Sequence, residues 1–266
     1  MNVLDRLGSR FRKKGRDILY ALGFSFQVFK ETVLFVKKRQ VGFRVLIMQI
    51  FFTGVEAISI ISLVALALGA IIIIQGYSSL SLFGQGKFTY TILIILITKE
   101  LGPVLTAFII IARSGTAIAT EIGHMVVSHE IEAYLSVGIN PISYLVVPRF
   151  LGVSISLIIL TLYFSFFGLF ASFLITQFFT PIPFIEYFQN LLSVLSIEAI
   201  LTSIIKSVIF GFIISIVSTY HGFKVSHATT EIPKMAINAV VSSFALCIVA
   251  DLMLVLALPA FFQLFS

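Results

Sequence analysis

The chain has 266 residues, of which 59% are hydrophobic and 11% charged, with a formal net charge of +6; an ordinary soluble domain is roughly half apolar and a quarter charged. So much apolar surface cannot be hidden in a water-soluble fold, which excludes the soluble classes and leaves an integral membrane protein whose solvent is the bilayer. Cys247 is the sole cysteine and lies in an apolar run, so neither an internal disulfide framework nor a multi-cysteine metal site can be built.

Eleven of the eighteen Lys and Arg precede residue 45: Arg6, Arg10, Arg12, Lys13, Lys14, Arg16, Lys30, Lys37, Lys38, Arg39 and Arg44. That bias predicts a cytoplasmic N-terminus. The cluster abuts apolar segments, so anionic headgroups are its expected partner and nucleic acid is not. It leads into a mixed basic and apolar segment and shows no cleavable signal pattern. Residues 1–55 therefore read as a basic interfacial region with amphipathic helices; a tilted, longer first span is the alternative. Residues 56–266 form one membrane domain.

From residue 57 the spans follow in order. Residues 57–74 are the first apolar helix, ended by a polar turn from Gln75 to Gly86. Residues 90–112 are the second, interrupted by Lys99, Glu100, Leu101, Gly102 and Pro103. Residues 113–149 are polar and predict a cytoplasmic loop with short helices. Residues 151–178 form the third span, 180–196 an outer loop, 199–217 the fourth span, 220–234 an inner segment and 236–262 the fifth. The fold class is thus an all-α integral membrane protein of five transmembrane helices, with the C-terminus outside. Strands are not needed, because helices satisfy their own backbone in lipid.

Lys99, Glu100, Lys206 and Asp251 stand inside these spans, where a charge is costly, by about 2.5–3.5 kcal/mol on insertion scales. Two readings stay open: a polar lining for a translocation path, or internal ion pairs that hold helices together. Gly102 and Pro103 predict a kink beside the first two charges. In the central loop, Ser128 is placed to cap a helix starting at His129, with Glu130 at its positive end. Gly138 and Asn140-Pro141 end it. Ile131, Tyr134 and Leu135 share one face, suited either to a partner's groove or to the protein's own spans.

His124 and His129 are five apart, and His221 and His227 six, so neither pair has the spacing of two ligands on one helix face; no metal site is expected. No phosphate-binding GxxxxGK[ST] run or G-x-S-x-G elbow occurs, and the expectation is a transport subunit, not an enzyme. Energy comes from a separate subunit or an ion gradient. An ion-gradient transporter or channel is the main rival reading, and an intramembrane lipid enzyme using the histidines and glutamates a second.

The run Lys99-Glu100-Leu101-Gly102-Pro103-Val104-Leu105-Thr106-Ala107, followed by Ala112-Arg113-Ser114-Gly115, Glu121-Ile122-Gly123 and Tyr144-Leu145-Val146-Val147-Pro148-Arg149, closely resembles the MlaE (YrbE) family of ABC-transporter permeases. Gln75-Gly76-Tyr77, Lys206-Ser207, Ala228-Thr229-Thr230 and Asp251 fall in order around that core. Asn140 stands where the family pattern usually has Asp, Lys99 where Arg is common, and Glu132 where Asp is frequent. The resemblance implies a homodimeric permease in the cytoplasmic (inner) membrane that moves phospholipids or related hydrophobic molecules between membranes. It implies as partners an ABC ATPase, which binds the ATP, and an MCE-domain periplasmic protein, and no cofactor of the chain's own. On that resemblance Lys99, Glu100, Lys206, Asp251 and Gln75 line the lipid path. His129, Glu130, Ile131, Glu132, Tyr134 and Leu135 couple to the ATPase.

Overall fold

The computed structural model describes residues 19–20, 22–34, 43–80, 86–179, 183–226 and 228–265; the basic stretch before residue 19 lies outside them. Among the described residues every regular element is helical. Helix α1 covers 22–34. Helix α2 (Phe43–Gly54) passes through a 3-10 turn (Val55–Ala57) into α3 (Ile58–Leu80), and the candidate span runs from Arg44 to Gln75. Residues 43–54 thus continue into the first span. They lie along α8, where Ser156 Oγ donates to the Ile50 carbonyl at 3.4 Å.

The second span is longer than its apolar stretch. Helix α4 (Gly86–Ile94), a π-helical turn (Ile95–Leu101), α5 (Gly102–Ile110), a second π turn (Ile111–Gly115) and α6 (Thr116–Val127) form one path. The loop expected from residue 113 is corrected accordingly. Ile118, Ala119, Ile122 and Gly123 bury one face of α6, while Glu121 and His124 occupy the exposed one. Only α7 (Glu130–Ser136) and its flanks remain as the linker. Helix α8 (Val147–Phe179) likewise begins before residue 151, preceded by a π turn (Ile142–Val146). The chain can stay helical there because Arg149, 4% exposed, is neutralised by Glu121 at 2.7 Å and donates to the Leu145 carbonyl at 3.0 Å.

The expected outer loop at 180–196 contains a further helix, α9 (Phe184–Val194), started by Pro183. It is amphipathic: Tyr187 and Leu191 are buried, and Phe184, Ile185 and Leu192 are exposed. Tyr187 meets Tyr90 edge-on at 5.4 Å and shares a 2.7 Å hydrogen bond with Ser172 of α8. Ser196 caps α10 (Ile197–Phe223), its Oγ accepting from the Ala199 amide at 3.1 Å. A 3-10 turn (Thr229–Glu231) then opens α11 (Ile232–Phe265). Among the described residues five helical runs are long and apolar enough to cross a membrane, the number expected.

Helices α8 and α10 occupy the centre and the others surround them. In lipid, helices are held by close backbone approach and interhelical hydrogen bonds. Both occur: a Cβ on Gly69 of α3 would overlap the Gly168 carbonyl of α8, and Ser207 of α10 donates to Thr161 of α8 at 2.9 Å. Helix α11 is the edge, with 17% of its apolar window buried against 50% for α10.

Candidate functional site

Lys206 sits in the middle of α10 with its side chain fully covered. The desolvation of an ammonium there is large unless partners neutralise it. Two do: Glu100 Oε2 accepts from Nζ at 2.5 Å, and Asp251 Oδ1 lies 2.9 Å away as an ion pair without hydrogen-bond alignment. Three segments far apart in sequence therefore converge on one point.

The π turn puts Glu100 there. The Gly102 amide donates to the Ile97 carbonyl, five residues back, and Pro103 stands in the first turn of α5. A Cβ on Gly102 would lie 2.5 Å from that same carbonyl, so glycine is what this turn accommodates. The interruption expected at Lys99–Pro103 is thus a widened helical turn, a form frequent at functional sites. Lys99 leaves it in another direction and pairs with Glu198 at the start of α10, 3.3 Å away.

Of the residues expected at the path, the structure therefore joins Glu100, Lys206 and Asp251 and places Lys99 in a neighbouring pair. Gln75 is exposed near the end of the first span, and the ion pairs form without it. Glu198 was not singled out from the sequence. The signal was there: Glu198, Thr202 and Lys206 are four apart and share one row of α10.

On the opposite side of the bundle, α7 stands clear, with none of its residues buried and Leu135 59% exposed. The Ser128 cap does not form. The chain reverses with His129 in the left-handed region at φ 60, which histidine tolerates better than most residues, and His129 Nδ1 lies 2.9 Å from Glu132. The C-terminus ends as the spacing predicts. Gly138 at φ +77 donates to the Leu135 carbonyl at 3.0 Å, and Ile139 to that of Tyr134 at 2.9 Å, a Schellman motif. Asn140 Oδ1 then accepts from the Ile142 amide at 2.9 Å. Ile131 and Leu135 line a groove of about 950 Å³ whose other wall is α1 and the end of α10.

Two more ion pairs brace this side: Glu121 with Arg149, and Arg113, in the second π turn, with the carboxylate and carbonyl of Glu56. Among the described residues no three of His, Cys, Asp and Glu gather as metal ligands. His124 borders an apolar groove between α6 and α11, His221 stacks edge-on with Tyr220, and His227 lies outside the described residues.

Five apolar spans enclosing an ion-paired interior, with an amphipathic helix held free at one end, define a multi-span membrane subunit of the transport class. The family model described as Permease MlaE matches residues 46–257, and the chain belongs to that family. It is 26% identical to a probable ABC transporter permease protein of Rickettsia typhi over 252 residues, 94% of this chain and 95% of the relative. It is 30% identical to a probable ABC transporter permease protein of Synechocystis over 209 residues, 77% of this chain and 78% of the relative. Its identity to the intermembrane phospholipid transport system permease protein MlaE of Haemophilus influenzae is 28% over 199 residues, 71% and 76% of the two chains.

Proposed function

We propose that this permease is the membrane subunit of an ABC transporter that moves phospholipids or related hydrophobic molecules between membranes, driven by a separate ATPase. Family membership supports the ABC class, and the name of the Haemophilus relative supports phospholipid as cargo. The observation that carries the mechanism is the Lys206 cluster. A headgroup needs polar partners inside the bundle, and acyl tails need an apolar flank; Glu100 and Asp251 lie beside the exposed apolar face of α11.

The same observation supports a homodimer. Side chains of Lys99, Glu100, Glu198 and Asp251 are 22–42% exposed, which in a lone protomer would set charge against hydrocarbon. A second copy packed along α11 would enclose them in a shared chamber. Helix α7, unburied and with Ile131 and Leu135 on the wall of the open groove beside α1, is the lever that an ATPase would engage, and ATP binding would shift the dimer through that contact. By the positive-inside tendency the α7 side faces the cytoplasm of an inner-membrane protein, leaving the α9 side for an MCE-domain partner and the C-terminus outside.

The test is reconstitution. With its ATPase, the chain should move labelled phospholipid between liposomes only when ATP is supplied. Transfer by the chain alone, driven by an ion gradient, would overturn the reading.

A further inference from the structure

The lysine best placed to attract a lipid phosphate is not available to one. Lys206 is fully covered and already shared between Glu100 and Asp251, so what the cluster turns toward the chamber is carboxylate: Asp251 is 22% exposed, Glu100 28% and Glu198 42%. Lys99, 23% exposed, is the one accessible ammonium among these five groups. Two lysines face three carboxylates, and the balance is one negative charge per protomer.

The row on α10 orders these groups by depth. Glu198 stands at the α9 end, and Lys206 lies eight residues deeper, about 12 Å along the axis. Between them Thr202, 1% exposed, carries a hydroxyl with no partner in the protein, and the Thr98 hydroxyl beside Lys99 is likewise buried and unpartnered. Thr202 lies in the row that joins the two ion pairs and Thr98 adjoins Lys99, and neither hydroxyl is engaged by another side chain or by the backbone. An acidic lining with one reachable cation forms a receptor for a zwitterion.

We infer that the chamber selects zwitterionic phospholipids bearing a primary ammonium, such as phosphatidylethanolamine, over anionic ones, with Glu198 as a specificity-determining residue. The inference rests on the lipid-path reading above. The headgroup ammonium donates to the carboxylates while its phosphate meets Lys99. An anionic headgroup brings the phosphate alone, leaves the extra carboxylate unmatched and is repelled by it.

The test is competition for the purified, delipidated full chain in detergent. It is offered equimolar phosphatidylethanolamine and phosphatidylglycerol of identical acyl chains, and bound lipids are counted by native mass spectrometry. Wild type should favour phosphatidylethanolamine by about two- to fivefold, the range of a partly exposed ion pair. Glu198→Gln, nearly isosteric at the exposed helix start, should bring the ratio close to one, and Glu198→Lys should invert it. Equal or greater binding of phosphatidylglycerol to wild type, or a ratio that neither variant moves, overturns the selectivity. Binding of neither lipid sinks the lipid path itself, a failure distinct from lost selectivity.

Discussion

At the scale of single residues, a charge in an apolar run announces itself because insertion penalises it, and that is why Glu100, Lys206 and Asp251 were legible in the sequence. Glu198 was not, since a carboxylate at a span end is inexpensive and also suits the positive end of α10. Gln75, an uncharged amide, carried too little penalty to reveal its surroundings. If Lys206 is held by its two acids, Lys206→Met should lower stability by about 3–5 kcal/mol by stranding them. Combining it with Glu100→Gln and Asp251→Asn should restore most of the loss in thermal unfolding of the detergent-solubilised chain. Equal losses in the single and triple variants would refute the ion-pair account. Tyr187 offers a second check, because burial pushes its phenol from 10.0 up to about 12. The neutral form then favours the docked α9, a contribution complete below pH 10 and lost as pH rises toward 12. Tyrosinate absorbance should show this late titration. Tyr187→Phe should abolish it at a cost of about 1 kcal/mol for the lost hydrogen bond to Ser172.

Among the helices, α7 shows what spacing can determine and what it cannot. Gly138 closes it because only a residue without Cβ takes φ +77 cheaply, and a sequence displays that glycine directly. Its start was misread, because the turn from α6 uses the left-handed His129 where a serine cap was expected. Helix α6 was assigned to a polar loop carrying short helices, and not to the second span, since Glu121 and His124 raise the average polarity, although they occupy one face of a helix whose other face packs on α10 and α11. For α7 as a lever, Ile131→Asp with Leu135→Asp should insert normally and leave the spans intact, yet uncouple ATP hydrolysis from lipid transfer. ATPase assembly and coupled turnover equal to wild type would show that another surface carries the force.

The whole molecule has a lopsided distribution of burial. Helices α8 and α10 are about half buried, whereas α11 leaves Ile248, Leu252 and Leu256 exposed in one row four residues apart, next to Asp251. A face that is apolar along its length but bordered by a carboxylate fits a protein surface better than lipid alone. Cysteines placed singly at 248, 252 and 256 should therefore cross-link two protomers under mild oxidation in membranes, with at least one position giving a band of dimer mass. Failure at all three would remove the α11 dimer and the shared chamber with it.

The amino-acid sequence alone determined the membrane class, the five spans, the irregular turn at Lys99–Pro103 and the family motif, because each rests on local quantities: apolar length, proline and glycine geometry, and the penalty on charge. The partners of those charges were decided only by tertiary structure. Lys206 meets Glu100 and Asp251 across 106 and 45 positions of chain because α10 is packed between the second span and α11, and helical periodicity is blind to which helix lies opposite. For the same reason the accessible charge around Lys206, carboxylate and not ammonium, became apparent only once burial had covered that lysine.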